Sequence, residues 1–316
     1  MKKVMLAAML VVASACGVSD KADEFRQGVP QAGDVSMKVP GRSGQPLTSV
    51  GTRRDGLEGQ PSDFYKLTRD VTVFVNTGTA ATLNLVEKIV SYPATTVGSD
   101  RAVWGPHTEP LSPNTWRLTV VRTATDSYSY TLEGKGKTEA DSEYRVVLSG
   151  THVHAGQNLG NGAFLIDWDL ARQLPENADN YGTVAVTYSR STAGASTQID
   201  AEFHHVRHGT AEPLVDASYR YSSTPNQGGA FQFQLQKDYV GGAALETGRI
   251  KSRWLESGAG RADVQVSGGD LAAPATLNEC WDSGFLSRFQ AASFASSNNY
   301  GAQSVCAFGT AEYPSL

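Results

Sequence analysis

The sequence predicts a mainly β protein: a large antiparallel meander of about ten strands forming a curved sheet or half-barrel, with an N-terminal two-helix hairpin packed on its apolar face. Three observations predict it. From Trp104 onward apolar side chains recur at every second residue, the period of a strand with one buried face. The intervals between these runs are short and rich in Gly, Pro and Asn, which makes neighbours hairpins, since parallel neighbours need long crossovers. After the N-terminal targeting segment, a sustained 3.6-residue period is confined to residues 62–92.

Met1-Lys2-Lys3 is a short cationic stretch, and Val4 to Val12 is an apolar run too short to span a bilayer as a permanent helix. The next residues, Ala13-Ser14-Ala15-Cys16, resemble the lipobox of bacterial lipoproteins, with Ala13 where Leu is commonest. This resemblance covers residues 1–16 only. It implies that residues 1–15 are a signal peptide, that Cys16 is acylated and becomes the first residue, and that the chain is held at a membrane of the cell envelope. Gly17, rather than Asp, implies sorting to the outer membrane. Cleavage after Ala15 by ordinary signal peptidase is the alternative. Residues 17–60 hold few large apolar side chains and read, with Cys16, as a flexible tether. About 40 such residues reach on the order of 35 Å.

Residues 61–316 read as one domain. Ser62 or Asp63 caps a first helix whose Phe64, Leu67, Val71, Phe74 and Val75 share a face. Asn76-Thr77-Gly78 then breaks it, and a second stripe through Leu83, Val86, Ile89 and Val90 ends before Pro93. Strands follow over about 103–267. Their alternation is clearest at Trp116-Leu118-Val120, Tyr128-Tyr130-Leu132, Val146-Leu148, Phe164-Ile166-Trp168, Val184-Val186-Tyr188, Ile199-Ala201-Phe203, Tyr219-Tyr221, Phe231-Phe233, Ile250-Ser252-Trp254 and Ala262-Val264-Val266. The opposite face carries Arg117, Asp167, Asp200, Arg220, Lys251, Arg253 and Asp263, so it is expected to be wet. In the C-terminal segment, 275–316, Asp282 or Ser283 is placed to cap a short helix through Phe285, Leu286 and Phe289. Cys280 and Cys306 form an even pair in an exported chain and are expected to be joined, closing a loop of about 27 residues worth roughly 3 kcal/mol. Zinc is the alternative for that pair.

Composition narrows function. The net charge is −5, and −7 once Lys2 and Lys3 are removed, which argues against nucleic acid as a partner. No G-x-S-x-G, H-E-x-x-H or P-loop occurs, and Gly156 to Gly162 reads as a loop between strands. No enzymatic activity, cofactor or metal is expected. His152 and His154 share one strand face, and His204, His205 and His208 lie on a strand separated from it by two others, roughly 15 Å away, so they read as solvated surface histidines. Asp167 and Asp169 stand about 7 Å apart, as catalytic carboxylates can, but strand alternation explains them equally. Lys135 and Lys137 read as a basic hairpin tip.

The apolar face is unusually aromatic: Trp116, Tyr128, Tyr130, Phe164, Trp168, Tyr188, Phe203, Tyr219, Tyr221, Phe231, Phe233 and Trp254. These twelve are a core, the lining of an apolar-ligand cavity, or a partner surface. The layout resembles the half-barrel lipoprotein carriers of bacterial envelopes. That resemblance implies a lipid or other apolar ligand in the hollow of the sheet, beneath the 62–92 helices. A surface-displayed binding or structural protein acting through an envelope protein partner is the alternative, and a secreted enzyme ranks below both.

Overall fold

The computed structural model describes residues 16–41, 58–177, 179–208, 213–314 and 316. The expected signal peptide, residues 1–15, lies outside the described residues, as does 42–57. Fourteen strands form a single sheet: β1 (Thr96–Val97), β2 (Arg101–His107), β3 (Asn114–Ala124), β4 (Ser127–Gly136), β5 (Arg145–Gly156), β6 (Leu159–Asp167), β7 (Asn180–Arg190), β8 (Thr197–His208), β9 (Val215–Thr224), β10 (Gly228–Lys237), β11 (Glu246–Leu255), β12 (Gly260–Ser267), β13 (Ala275–Trp281) and β14 (Ser287–Ala292). Each strand pairs antiparallel with the next, and β1 does not pair with β14, so the meander is open. Successive hairpins therefore alternate between two rims.

Register aligns the apolar face across the sheet. One row runs Val120, Tyr130, Gly150, Phe164, Val186, Ala201, Tyr219, Phe233, Ile250 and Val264. Small residues stand beside large ones, which lets rings lean over neighbouring strands. Helix α1 (Cys16–Arg26) packs near β1 to β3, and α2 (Asp63–Ser91) lies on the apolar face. The sheet curves around α2. Thr68 Oγ1 meets Ser252 Oγ of β11 at 2.5 Å, Phe64 N–H donates to Glu279 of β13 at 2.9 Å, and Trp104 of β2 donates its indole N–H to Tyr92 O, just past the helix, at 3.1 Å.

Several expectations are corrected. There are fourteen strands rather than ten. The additions include β1, β2, β13 and β14, and the helix expected from Asp282 is instead the β13–β14 turn. There Asp282 Oδ1 accepts the N–H groups of Gly284 and Leu286, which closes a hairpin rather than starting a helix. The two-helix hairpin is one continuous helix capped by Ser62, whose hydroxyl accepts from Tyr65 N. Asn76-Thr77-Gly78 does not break it. Thr77 donates to Val73 O inside the helix, while Asn76 leaves the helix face to bond both backbone groups of Met37. A single helical glycine costs about 1 kcal/mol, which burial of the helix face outweighs.

The stretch read as a tether is folded over residues 16–41. Phe25 is fully buried, and Val29, Val35 and Met37 join the same core as α2 and the sheet. Few apolar residues are present, but Ala22, Phe25, Val29, Val35 and Met37 are all buried. Trp168 is not on a strand: Asp167 caps a one-turn helix, α3 (Trp168–Ala171), by accepting from Leu170 N at 2.8 Å. A register shift between Leu132 and Glu133 leaves Val146 exposed and buries Val147 instead. The outer face is not wet everywhere. Arg253, Arg261 and Asp263 are buried beneath a C-terminal strap, residues 302–316, which Cys306 ties to Cys280 of β13 by a disulfide with Cα atoms 5.6 Å apart.

Candidate functional site

All twelve aromatic residues on the apolar face belong to the core or pack against it. Tyr128, Tyr130, Phe164, Tyr188, Tyr219, Tyr221, Phe231 and Trp254 are buried, while Trp116, Trp168, Phe203 and Phe233 are partly buried at its margin. Their partners are α2 and residues 22–41. Phe25 meets Tyr128 edge-on with centroids 6.3 Å apart, and Tyr221 Oη donates to Lys38 O and accepts from Lys38 N at 2.9 and 3.0 Å. The Tyr221–Lys38 bonds hold the segment in one seating, because a slipped segment would leave that buried hydroxyl unpaired.

The polar chemistry inside the sheet gathers where residues 26–34 cross β5 and the β5–β6 hairpin. His152, 1% exposed, shares a 2.6 Å hydrogen bond between Nδ1 and the Tyr188 hydroxyl. His154 is its ring neighbour at 6.1 Å. Asp34 is buried and accepts from Gln31 N through Oδ2 at 2.8 Å, while Oδ1 has no hydrogen-bond partner. A cavity of about 100 Å³ opens between Arg26, Gln31, Asp34, His152, His154 and Asn158. Drug-sized and lipid ligands need roughly 300 Å³ or more, so this space suits a guest of a few atoms.

Glycines make this cluster. A Cβ at Gly160 would stand 2.6 Å from the His152 ring, one at Gly162 2.6 Å from the Tyr188 hydroxyl, and one at Gly150 2.5 Å from the Tyr130 hydroxyl. Gly160 and Gly162 are thus strand residues lying under rings, not members of a loop. Burial, with His154 alongside, holds the His152 imidazolium down to a pKa of about 4. Burial likewise raises the Asp34 carboxyl against the pull of the Gln31 N–H, and raises the Tyr130 and Tyr188 phenols. His152 is therefore neutral at ordinary pH, and its imidazole can pass a hydrogen bond from Tyr188 toward the cavity.

Other sequence candidates have structural roles. His204 and His205 are exposed on β8, with two strands between them and His152 on β5. Asp169 pairs with Arg172 and accepts from Gly182 N, and Asp167 is the α3 cap. Lys135 is buried, donating to Glu139 O and pairing with Asp141, so it is not a free basic tip. Among the described residues no group of three His, Cys, Asp or Glu is placed to hold a metal ion, and no helix is long and apolar enough to cross a membrane. The sequence reading missed Asp34 because it lay in the supposed tether. The alternation of Val35 and Met37 beside it was the available signal. No family model, curated protein or solved structure matches the chain.

Proposed function

We propose that the chain is an envelope lipoprotein, acylated at Cys16, exported and held at the outer membrane. In this reading the domain is a self-filled half-barrel that serves as a structural or display module through its outer surface. The observation that carries the reading is that α2 and residues 22–41 occupy the hollow where a carrier would hold its ligand. A carrier would have to expel α2, with its Thr68–Ser252 and Phe64–Glu279 contacts, before an acyl chain could enter. Residues 16–26 form α1 against β1 to β3, so acyl chains on Cys16 would be mounted on the folded domain without a long spacer. The reading includes no catalytic step.

The test is metabolic labelling with palmitate. The wild-type chain is expected to incorporate label and Cys16→Ser to lose it, while equal labelling of both would defeat the anchoring assignment. Organic extraction of the purified chain followed by mass spectrometry addresses the hollow. Covalent acyl chains alone are expected, and stoichiometric free lipid would restore the carrier reading.

A further inference from the structure

The cavity beside His152 has a buried floor and an exposed lip. Asp34 and His152 form the floor, 5% and 1% exposed, and the side chains of Gln27 and Gln31 stand in solvent at the lip. On the floor Asp34 Oδ2 is held by Gln31 N, while Oδ1 is buried without a partner. A buried acceptor left so is costly, and a carboxylate oxygen most of all. The cavity therefore demands an N–H or O–H donor at Oδ1.

It also offers a donor. Tyr188 Oη lies 2.6 Å from His152 Nδ1 and has no other hydrogen-bond partner among the described residues. The phenol proton therefore goes to Nδ1, and the neutral imidazole carries its own proton on Nε2. Glycine keeps that edge of the ring clear, since a Cβ at Gly160 would stand 2.6 Å from Cε1 and 3.3 Å from Nε2. Gly33 does the same for the Asn158 amide, with which a Cβ would collide.

The surrounding charges favour a neutral guest. Arg26, in the cavity wall, is already bonded to Val90 O, Asp23 and Tyr92 O. Glu87 and Arg190 act on Asp34 with opposite signs. An anion would thus meet Asp34 and Glu87 with the guanidinium of the wall engaged elsewhere, and a cation would stand beside Arg26 and Arg190. Hydroxyl groups each donate and accept, so two on adjacent carbons can serve Oδ1 and Nε2–H together, with the amides of Gln27, Gln31 and Asn158 around the remainder. The space, about 100 Å³, exceeds the roughly 10–15 Å³ that one water needs. We propose that this cavity binds a vicinal diol, one hydroxyl donating to Asp34 Oδ1 and its neighbour accepting from His152 Nε2–H, the rest of a small polyol or sugar lying at the lip. The site uses neither the acyl anchor nor the outer surface, so it goes beyond the structural reading and stands or falls apart from it.

The test titrates the whole chain with glycerol while NMR follows the backbone amides and the imidazole nitrogens. Saturable shifts are expected at Gly33, Asp34 and His152, with a dissociation constant on the order of 1 mM for so small a guest. 1-Propanol, of similar size with a single hydroxyl, is expected to bind at least about tenfold more weakly. Asp34→Asn keeps an acceptor for Gln31 N but turns a donor toward the diol, and it is expected to weaken glycerol by a similar factor, with circular dichroism verifying the fold. His152→Phe, which removes the Nε2 donor, gives the same reading if Asp34→Asn does not fold. Tighter binding of methyl glucoside than of glycerol would identify a sugar edge as the ligand, and the reverse a free polyol. Absence of saturable shifts in glycerol at about 0.1 M would mean that water alone fills the cavity and would overturn the proposal. Tighter binding of acetate, methylammonium or acetamide would overturn it too, as would unchanged glycerol affinity in a folded variant.

Discussion

Protonating His152 is unfavourable because its ring lies between Tyr188 and the floor provided by Gly160, nearly out of reach of water. Its folded pKa of about 4 lies below the 6.5 of an exposed imidazole. The unfolded chain therefore binds the proton first, and the contribution to stability is complete above pH 6.5 and is lost as pH falls toward 4. The loss is at most about 3 kcal/mol over that window. Asp34, facing the same cavity, has the opposite sign: its carboxyl is raised, so its burial costs stability as pH rises through the folded value. Urea unfolding at pH 7 and pH 4.5, compared between wild type and His152→Phe, isolates the imidazole. The variant is expected to lose about 1–3 kcal/mol less on acidification, even though it leaves the Tyr188 hydroxyl without its partner. Equal losses in both proteins would mean that His152 reaches solvent.

Elements with one wet face were legible and elements with two covered faces were not. β3, β4 and β6 to β10 alternate in sequence because water reaches their outer side over most of their length, and β11 and β12 keep the alternation because the strap covers polar side chains there. β13 loses that pattern: Cys280 faces the strap and Trp281 faces the core, so adjacent residues are both buried. The twelve aromatic residues were legible as a face, but whether that face held a ligand or a helix depended on segments with weak periodicity. Continuity of α2 through Gly78 depends on Asn76 finding Met37, a partner 39 residues earlier, which local propensity does not register. Asp34 and its cavity were hidden for the same reason. Residues 22–41 were read as solvated from their composition, whereas a handful of inward side chains docks them. If they are core, Phe25→Ala removes a fully buried ring from between Tyr128 and Arg122 and costs about 3–5 kcal/mol. Urea unfolding of the whole domain measures it, and a change below about 0.5 kcal/mol would return the segment to the status of a tether.

An open sheet of fourteen strands has two edges and a long outer face, and the molecule closes each differently. β1 has only two residues, which leaves little edge to pair. β14 is covered by bridges between Gln290 and Tyr300 and between Pro61 and Leu286. The outer face is sealed only at β11 to β13, by the strap. Asp263 lies at the centre there, accepting from Arg261 Nε at 2.7 Å, Arg253 Nη2 at 3.0 Å and Glu312 N at 2.9 Å, while Arg253 Nη1 reaches Glu312 at 2.5 Å. Two guanidinium groups around one buried carboxylate are favourable only while water is excluded and most donors are engaged. Carbonyls of the strap supply further acceptors, Thr310 O for Arg253 and Phe308 O for Arg261, which leaves Arg253 Nε buried without a partner. The strap carries little apolar burial of its own, with Val305 exposed and Phe308 only half-buried where Arg253 stacks on its ring. Its residence therefore depends on the covalent tie at Cys306. Replacing both Cys280 and Cys306 with Ser is expected to destabilise the domain by roughly 3 kcal/mol through the freed loop. Once the strap lifts, water reaches the ion cluster, so amide exchange at residues 302–316 and at Arg261 to Asp263 should accelerate together, while β3 to β7 keep their protection. Exchange that accelerates only at 302–316 would show that the ion cluster stays closed without its strap.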